Sequence, residues 1–178
     1  MQIKDGWVYL LQQRLDNDQK GYRVINASIS GDTTAGGLAR LADPLQQHKP
    51  DIIILELGAN DGLRGLSLQQ MKQNLEKMIT LSKQHGAQVI LVGMQLPPNY
   101  GPLYTNKFLS TYRELAKEHN TLLIPFLLKD VGGNPALIQA DGLHPNEKAQ
   151  PIILENVWQE LKHVLQQQTA HNAATLKN

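Results

Sequence analysis

The chain of 178 residues contains no cysteine, which excludes disulfide bonds, thiolate nucleophiles and cysteine-ligated metals together. No apolar run approaches the roughly 20 residues that a membrane-spanning helix needs, so no stable membrane insertion is expected. Charge of one sign is also missing, because 17 basic and 16 acidic residues leave a formal net charge of +1. Without a basic stripe, nucleic acid is not an expected partner. The composition leaves the cellular compartment open.

Hydrophobic residues make up 41% of the chain, which is enough to build one core. A chain of this length fits a single domain, and we place it at residues 1–168, as a monomer. Residues 169–178 form a polar tail with too little apolar surface to pack.

Apolar segments alternate between strand-like and helix-like patterns along the chain. The patterns predict strands at 22–27, 51–57, 88–94 and 121–126, and helices at 5–15, 34–47, 67–85, 105–119 and 145–168. This alternation predicts an α/β fold of three layers, a parallel sheet with helices on both faces. Such sheets bind ligands beyond the carboxyl ends of their strands, where the polar segments of this chain fall.

The segment from Asp141 to Pro145 is a candidate for half of a hydrolytic site. An acid three residues before a histidine, with Gly142 between them to bend the backbone, can place a carboxylate against one imidazole nitrogen. The other nitrogen is then left to act as a base, with the acid as its orienter. The alternative is a turn ahead of a helix, because Asp-Gly and His-Pro are ordinary turn dipeptides.

Two further polar clusters follow predicted strands, one around Gly31 and one around Asn60. Ester cleavage through a tetrahedral intermediate needs hydrogen-bond donors aimed at the developing oxyanion. The backbone N–H of Gly31 is one candidate, since no side chain obstructs an approaching substrate, and the side-chain amide of Asn60 is another. In isolation, Asn60-Asp61-Gly62 also fits a loop turn.

Together these clusters resemble the SGNH hydrolases, also called GDSL esterases and lipases. Within that family the chain is most similar to the bacterial multifunctional acyl-CoA thioesterases, lysophospholipases and arylesterases. The matching segments are Asn-Ala-Ser-Ile-Ser-Gly-Asp-Thr at 26–33, Gly-Ala-Asn-Asp-Gly-Leu-Arg-Gly at 58–65, Leu-Pro-Pro-Asn-Tyr-Gly at 96–101 and Asp-Gly-Leu-His-Pro at 141–145. The resemblance runs from Gly6 to Leu165.

The resemblance implies a flavodoxin-like parallel sheet and hydrolysis of an acyl ester or thioester by serine acylation and deacylation, without a cofactor. It implies that Gly31 and Asn60 are oxyanion-hole donors, that His144 is the general base, and that Asp141 orients it. A small acyl ester or thioester is the implied substrate.

The resemblance departs from the family at the N-terminus. The family's first block is a strand ending in Gly-Asp-Ser, whose serine is the nucleophile, and residues 1–5 do not contain it. Ser28 and Ser30 lie in the matching segment 26–33, which we call the glycine block. The family uses the backbone of this block, so neither serine is assigned as the nucleophile. We therefore expect an N-terminally truncated hydrolase that lacks its first strand and is inactive as printed. A non-catalytic binding remnant of the same fold is the alternative.

The loop from Leu96 to Leu103 carries no charge and includes three prolines. Pro97, Tyr100 and Leu103 are candidate substrate-binding residues of an acyl groove, and a stiff connection between elements is the alternative.

The remaining polar residues favour structural roles. Histidines 48, 85, 119, 163 and 171 lie in helical or tail segments without paired acidic spacing, so no metal site is assigned. Asp32 and Asp61 are expected to hold loops through hydrogen bonds to the backbone rather than to act as bases. A mononucleotide-binding protein of flavodoxin type is disfavoured, because no glycine-rich phosphate loop follows a strand.

Overall fold

The computed structural model describes residues 6–18 and 21–175, with side chains described as far as residue 168. Within these residues the elements occur in the order α1 (Trp7–Asn17), α2 (Thr34–Arg40), α3 (Ala42–His48), β1 (Ile52–Leu55), α4 (Ala59–Leu63), α5 (Leu68–Gln84), β2 (Gln88–Val92), α6 (Pro102–Glu118), β3 (Leu122–Ile124) and α7 (Gln150–Thr175). Short 3-10 helices span Pro98–Tyr100 and Glu147–Ala149. The chain divides into two compact units, residues 27–126 and residues 1–26 with 127–178.

The unit of residues 27–126 is built on a parallel sheet with the strand order β1-β2-β3. β1 consists of three isoleucines and a leucine, and all four residues of β2 from Val89 to Val92 are buried. Such apolar, β-branched runs are typical of parallel strands covered by helices. The predicted α/β class with a parallel sheet and flanking helices is therefore confirmed.

Helix α5 shows how the sequence determines an element of this unit. The Ser67 side chain caps its N-terminus by accepting the N–H of Gln70 at 3.3 Å. Gly86, at φ +84°, follows its C-terminus, where the left-handed conformation favours glycine. The helix buries a stripe at helical spacing, Leu68, Met71, Leu75, Met78 and Ile79, which packs in one cluster with Phe108, Tyr112 and Leu115 of α6. Burial of this stripe holds the helix in place.

The predicted strand at 22–27 is wrong, because residues 21–29 form neither strand nor helix. Instead of a neighbouring strand, the side chain of Gln12 bonds this segment. Gln12 Nε2 donates to Tyr22 O at 3.0 Å, and Gln12 Oε1 accepts the N–H of Val24 at 2.5 Å. A strand needs a ladder partner, and apolar alternation in one segment does not reveal whether such a partner exists.

Several predicted boundaries move for identifiable reasons. The predicted helix at 34–47 is broken at Leu41, between α2 and α3, because Pro44 has no N–H to donate to the carbonyl of Arg40. Helix α6 starts at Pro102, three residues before the prediction, because proline is suited to the first position of a helix. Helix α7 starts at Gln150 rather than 145 and continues to Thr175, past the predicted end at 168.

In the unit formed by the two end segments, α1 packs against α7. The Arg14 guanidinium lies 4.1 Å from the centroid of the Trp158 ring, a cation–π arrangement. Trp7 N–H donates to Gln150 Oε1 at 3.0 Å, which joins the first residues of the two helices. None of the described helices is long and apolar enough to cross a membrane.

Candidate active site

Asp141 and His144 are in direct contact, as their spacing predicts. Asp141 Oδ2 lies 2.7 Å from His144 Nδ1, while Oδ1 accepts the N–H groups of Leu143 at 2.9 Å and His144 at 3.0 Å. Gly142, at φ +72°, lets the chain turn tightly enough for one carboxylate to make all three bonds. The pair is therefore fixed by its own loop.

The loop itself is closed by hydrogen bonds at its base. Ile138 and Pro145 form an antiparallel bridge, and Gln139 N–H donates to His144 O at 2.7 Å. Gly142 N–H donates to Gln139 O at 3.0 Å. These bonds hold the loop while leaving 69% of the His144 side chain and 44% of the Asp141 side chain exposed.

The N–H groups of His144 and Leu143, together with the His144 ring, lower the pKa of Asp141 to about 2. Asp141 is therefore ionised at neutral pH and can only accept hydrogen bonds. Its Oδ2 consequently selects the proton on His144 Nδ1 and leaves Nε2 as the nitrogen that can exchange a proton with a reactant. This is the arrangement of a general base with its orienter.

In the unit of residues 27–126, helix α4 holds the segment that contains Gly31. Asn60 Nδ2 donates to Asp32 O at 2.9 Å, and Arg64 Nη2 donates to Gly31 O at 2.9 Å. Gly31 has φ +76°, in the left-handed region. No acceptor among the described residues takes the Gly31 N–H. The structure thus brings Asn60 against the residue next to Gly31.

Asp61 anchors the same region from inside. Its carboxylate is buried, with Oδ2 accepting the Thr34 N–H at 2.9 Å and Oδ1 accepting the Thr34 hydroxyl at 2.6 Å. Asn74 Nδ2 donates to the Thr34 hydroxyl oxygen at 3.1 Å, which joins α5 to the network. The predicted role of Asp61 in holding a loop through the backbone is confirmed.

Asp32 also forms hydrogen bonds that hold the glycine block. Its Oδ1 accepts the Thr33 N–H at 2.9 Å, and its Oδ2 pairs with Arg40 Nε at 2.9 Å. Arg40 also donates to Ala27 O at 2.8 Å. These bonds confirm the structural role predicted for Asp32.

A shallow cavity of about 330 Å³ adjoins the start of α6. It is lined by Tyr100, Gly101, Pro102, Leu103, Tyr104 and Lys107, and we call it the α6 groove. The Tyr100 hydroxyl donates to Leu63 O at 2.8 Å, and the Tyr104 hydroxyl donates to Gly62 O at 3.3 Å. Both hydroxyls thus bond the backbone after Asn60, and the two rings are stacked, with their centroids 6.4 Å apart.

Two of the three predicted substrate-binding residues line the α6 groove, and the third does not. Tyr100 and Leu103 line the α6 groove, and Leu103 is 86% exposed. Pro97 lies outside the lining and accepts the Tyr100 N–H at 3.2 Å, so it shapes the 3-10 turn that carries Tyr100.

The loop-turn alternative for Asn60-Asp61-Gly62 is wrong, because these residues form helix α4. The sequence reasoning also missed Arg64, which follows the last residue of α4 and donates to Gly31 O. It also missed Thr34 and Tyr104, whose roles depend on tertiary contacts. Among the described residues, no group of three or more histidine and acidic side chains could hold a metal ion.

Comparison with known proteins gives consistent matches. Residues 3–151 match the GDSL-like Lipase/Acylhydrolase family. The chain is 52% identical over 165 residues to Esterase TesA of Pseudomonas aeruginosa, covering 93% of this chain and 82% of that one. It is 42% identical over 162 residues to Thioesterase 1/protease 1/lysophospholipase L1 of Escherichia coli strain K12, covering 91% and 76%.

Solved structures agree with these sequence matches. A crystal structure of TesA superposes with a TM-score of 0.89 at 52% identity, over 91% of this chain and 90% of that chain. The psychrotrophic esterase EstA from Pseudoalteromonas sp., inhibited by monoethylphosphonate, gives a TM-score of 0.89 at 41% identity, over 93% and 91%. The fold, the matched segment and the identities lead to one conclusion: the chain belongs to the GDSL-like lipase/acylhydrolase family, the SGNH hydrolases.

Proposed function

We propose that this protein hydrolyses carboxylic esters and thioesters of small acyl-bearing substrates by serine acylation and deacylation. The observation that carries the proposal is the contact between Asp141 and His144, which prepares His144 Nε2 as a base. Family membership supports the reaction class, and the similar proteins from P. aeruginosa and E. coli are named as an esterase and as a thioesterase and lysophospholipase.

In the proposed reaction, a serine oxygen attacks the acyl carbon of the substrate. His144 Nε2 takes the proton of that serine hydroxyl as the new bond forms. Asp141 stays ionised and stabilises the imidazolium that forms. The leaving alcohol or thiol receives that proton when its bond to the acyl carbon breaks. A water then attacks the acyl-serine and gives a proton to His144. His144 returns that proton to the serine oxygen as the bond between this oxygen and the acyl carbon breaks and the carboxylic acid leaves. No serine of the printed chain is assigned as the nucleophile.

The tetrahedral intermediate carries negative charge on the former carbonyl oxygen, and we assign the Gly31 N–H and the Asn60 amide as its donors. Two observations support this assignment. The Gly31 N–H has no acceptor among the described residues, and Asn60 Nδ2 uses one hydrogen on Asp32 O, which leaves the second to donate. One such donor contributes about 10² to 10³ in rate.

The lining of the α6 groove supports the proposal that the protein recognises the acyl group of its substrate. Two tyrosine rings and the exposed Leu103 side chain line it together with Lys107, and the aromatic and aliphatic part of this lining suits an alkyl chain. The groove therefore fits esters and thioesters with an apolar acyl part.

The test measures turnover of p-nitrophenyl butyrate by the purified natural translation product, that is, the protein expressed from its natural reading frame. We expect hydrolysis, and we expect His144→Ala to lower kcat on the order of 10⁴-fold or more. His85→Ala serves as the control and keeps full activity, because His85 is an exposed histidine at the C-terminal end of α5. Absence of turnover overturns the proposal in favour of a non-catalytic binding domain of the same fold. Full turnover in His144→Ala overturns the role of His144 as the general base.

A further inference from the structure

The α6 groove is part of a wider exposed surface that two chain segments form together. The Tyr100 hydroxyl donates to Leu63 O at 2.8 Å, and the Tyr104 hydroxyl lies 3.4 Å from Leu66 O. These contacts hold the start of α6 against the residues at the end of α4. We call the surface formed by residues 63–67 and 99–107 the leucine–tyrosine surface.

Large apolar side chains are exposed to solvent on this surface. Leu103 is 86% exposed, Leu66 is 44% exposed and Tyr100 is 36% exposed. Among the described residues, seven large hydrophobic side chains are exposed, so two short segments carry three of the seven. Exposed apolar groups that are concentrated in one place mark a surface that contacts a partner.

The charges of the leucine–tyrosine surface are of one sign. Its two charged residues, Arg64 and Lys107, are basic, and neither of its segments contains an aspartate or a glutamate. The Arg64 side chain bonds a backbone carbonyl, Gly31 O, rather than a carboxylate. The Lys107 ammonium forms no ion pair with any residue that the structure describes. A complementary partner therefore offers negative charge together with apolar groups.

We propose that the leucine–tyrosine surface binds the surface of anionic lipid bilayers. Leu103 enters the boundary between the headgroups and the acyl chains, as the apolar face of an interfacial helix does. Lys107 follows one helical turn later, so its apolar stem extends along the same side of α6 while its ammonium reaches the lipid phosphates. Tyrosine rings are suited to this boundary.

A bilayer fits this surface because it offers apolar groups and anions side by side over a broad plane. The apolar side chains concerned stand out into solvent, where a plane can reach all of them. The contact is peripheral, since none of the described helices is long and apolar enough to cross a membrane. The inference goes beyond the proposed function, because binding to lipid requires no hydrolysis.

The experiment measures co-sedimentation of the 178-residue chain with sucrose-loaded vesicles of phosphatidylcholine, or of an equal mixture of phosphatidylcholine and phosphatidylglycerol. We expect binding to the mixed vesicles that weakens as the salt concentration rises. Leu103→Ser should lower the partition coefficient for mixed vesicles about threefold to tenfold, because an apolar side chain is lost from the contact. Lys107→Gln should lower it about fivefold, and should not weaken binding to phosphatidylcholine alone.

Two matched variants change similar residues outside the leucine–tyrosine surface. Ile25→Ser alters an aliphatic side chain that is 41% exposed, and Lys117→Gln alters an exposed lysine near the C-terminal end of α6. Both should bind mixed vesicles as the unsubstituted chain does. Circular dichroism reports that all four variants keep their helices.

The proposal is overturned if the unsubstituted chain does not bind mixed vesicles. It is also overturned if Leu103→Ser and Lys107→Gln bind no more weakly than the two matched variants. Sedimentation velocity without vesicles tests a second copy of the chain as the partner, and a dimer that Leu103→Ser dissociates would replace the bilayer in this role. None of these measurements uses turnover, so a negative result leaves the proposed hydrolysis untouched.

Discussion

Asp61 receives two hydrogen bonds from one residue, the backbone N–H of Thr34 at 2.9 Å and its hydroxyl at 2.6 Å. Both residues are buried, so water cannot replace either bond. The pair joins the start of α2 to α4 and thereby holds the glycine block beside the helix that carries Asn60.

We therefore expect Asp61→Ala to lower the free energy of unfolding by roughly 2 to 3 kcal/mol, because two buried donors lose their acceptor. Urea denaturation followed by circular dichroism measures the change. Asp51→Ala, at an exposed position, is the control and costs less than about 0.5 kcal/mol. Equal losses in the two variants would show that the Thr34 bonds contribute nothing.

Position 58 requires a glycine, because of both its backbone conformation and the atoms that surround it. At φ +109°, an added Cβ would lie 2.3 Å from the Tyr112 hydroxyl, which donates to Leu57 O at 2.9 Å. Burial raises the pKa of Tyr112, so this hydroxyl stays protonated and keeps donating. A side chain at Gly58 would therefore displace a buried hydrogen bond.

The matched comparison is Gly65, at φ +65° with no atom within 4 Å of an added Cβ. We expect Gly65→Ala to cost about 1 kcal/mol, for the left-handed backbone alone. Gly58→Ala should cost a further 1 to 3 kcal/mol, approximately, because of the clash. Denaturant midpoints of the two variants measure the difference, and similar midpoints would contradict the packing described for Tyr112.

The pKa of Asp141, about 2, gives a pH prediction. Because the folded-state value is lower than the ordinary 3.8, the carboxylate stabilises its turn at pH values above about 4. That contribution is lost as the pH falls through about 2. The Asp141 carboxyl ¹³C resonance should titrate with a midpoint near 2.

His144→Ala should leave most of this shift, because the backbone N–H groups that bond Asp141 Oδ1 remain. A midpoint near the ordinary value in the unsubstituted protein would show that the three hydrogen bonds are not formed in solution.

The α6 groove predicts a preference for longer acyl groups. Replacing the exposed Leu103 by serine removes apolar surface from its wall, so the ratio of kcat/KM for p-nitrophenyl octanoate over butyrate should fall about threefold to tenfold. Tyr100→Phe keeps the ring face and should change the ratio little. Ile25→Ser, which also alters an exposed aliphatic residue, is the control. An unchanged ratio in Leu103→Ser would exclude the groove as the acyl site.

The sequence predicts elements whose signals are local. Helix α5 is predicted within one residue at each end, because its cap, its buried stripe and its terminal glycine all lie in the chain itself. The contact between Asp141 and His144 is predicted for the same reason, since one loop supplies the carboxylate, the glycine and the imidazole.

Features that depend on distant partners are not predictable in this way. Helix α4 begins after Gly58 and contains a second glycine, so its local pattern indicates a loop, and its stability comes from Asp61 and its bonds to Thr34. Conversely, the segment at 22–27 has a strand pattern but bonds the side chain of Gln12. The bond from Arg64 to Gly31 O joins residues 33 positions apart, so the local sequence does not reveal it.

The most direct test of the account is a double-mutant cycle of Asn60→Ala and His144→Ala in the natural translation product, measured as kcat on p-nitrophenyl butyrate. Asn60→Ala alone should lower kcat about 10²- to 10³-fold. In the His144→Ala background its effect should be much smaller, because the proposed mechanism has both residues serve one acyl transfer, and such effects are not additive. An Asn60→Ala variant with unchanged kcat, or an effect of equal size in both backgrounds, would contradict a shared catalytic role for Asn60 and His144.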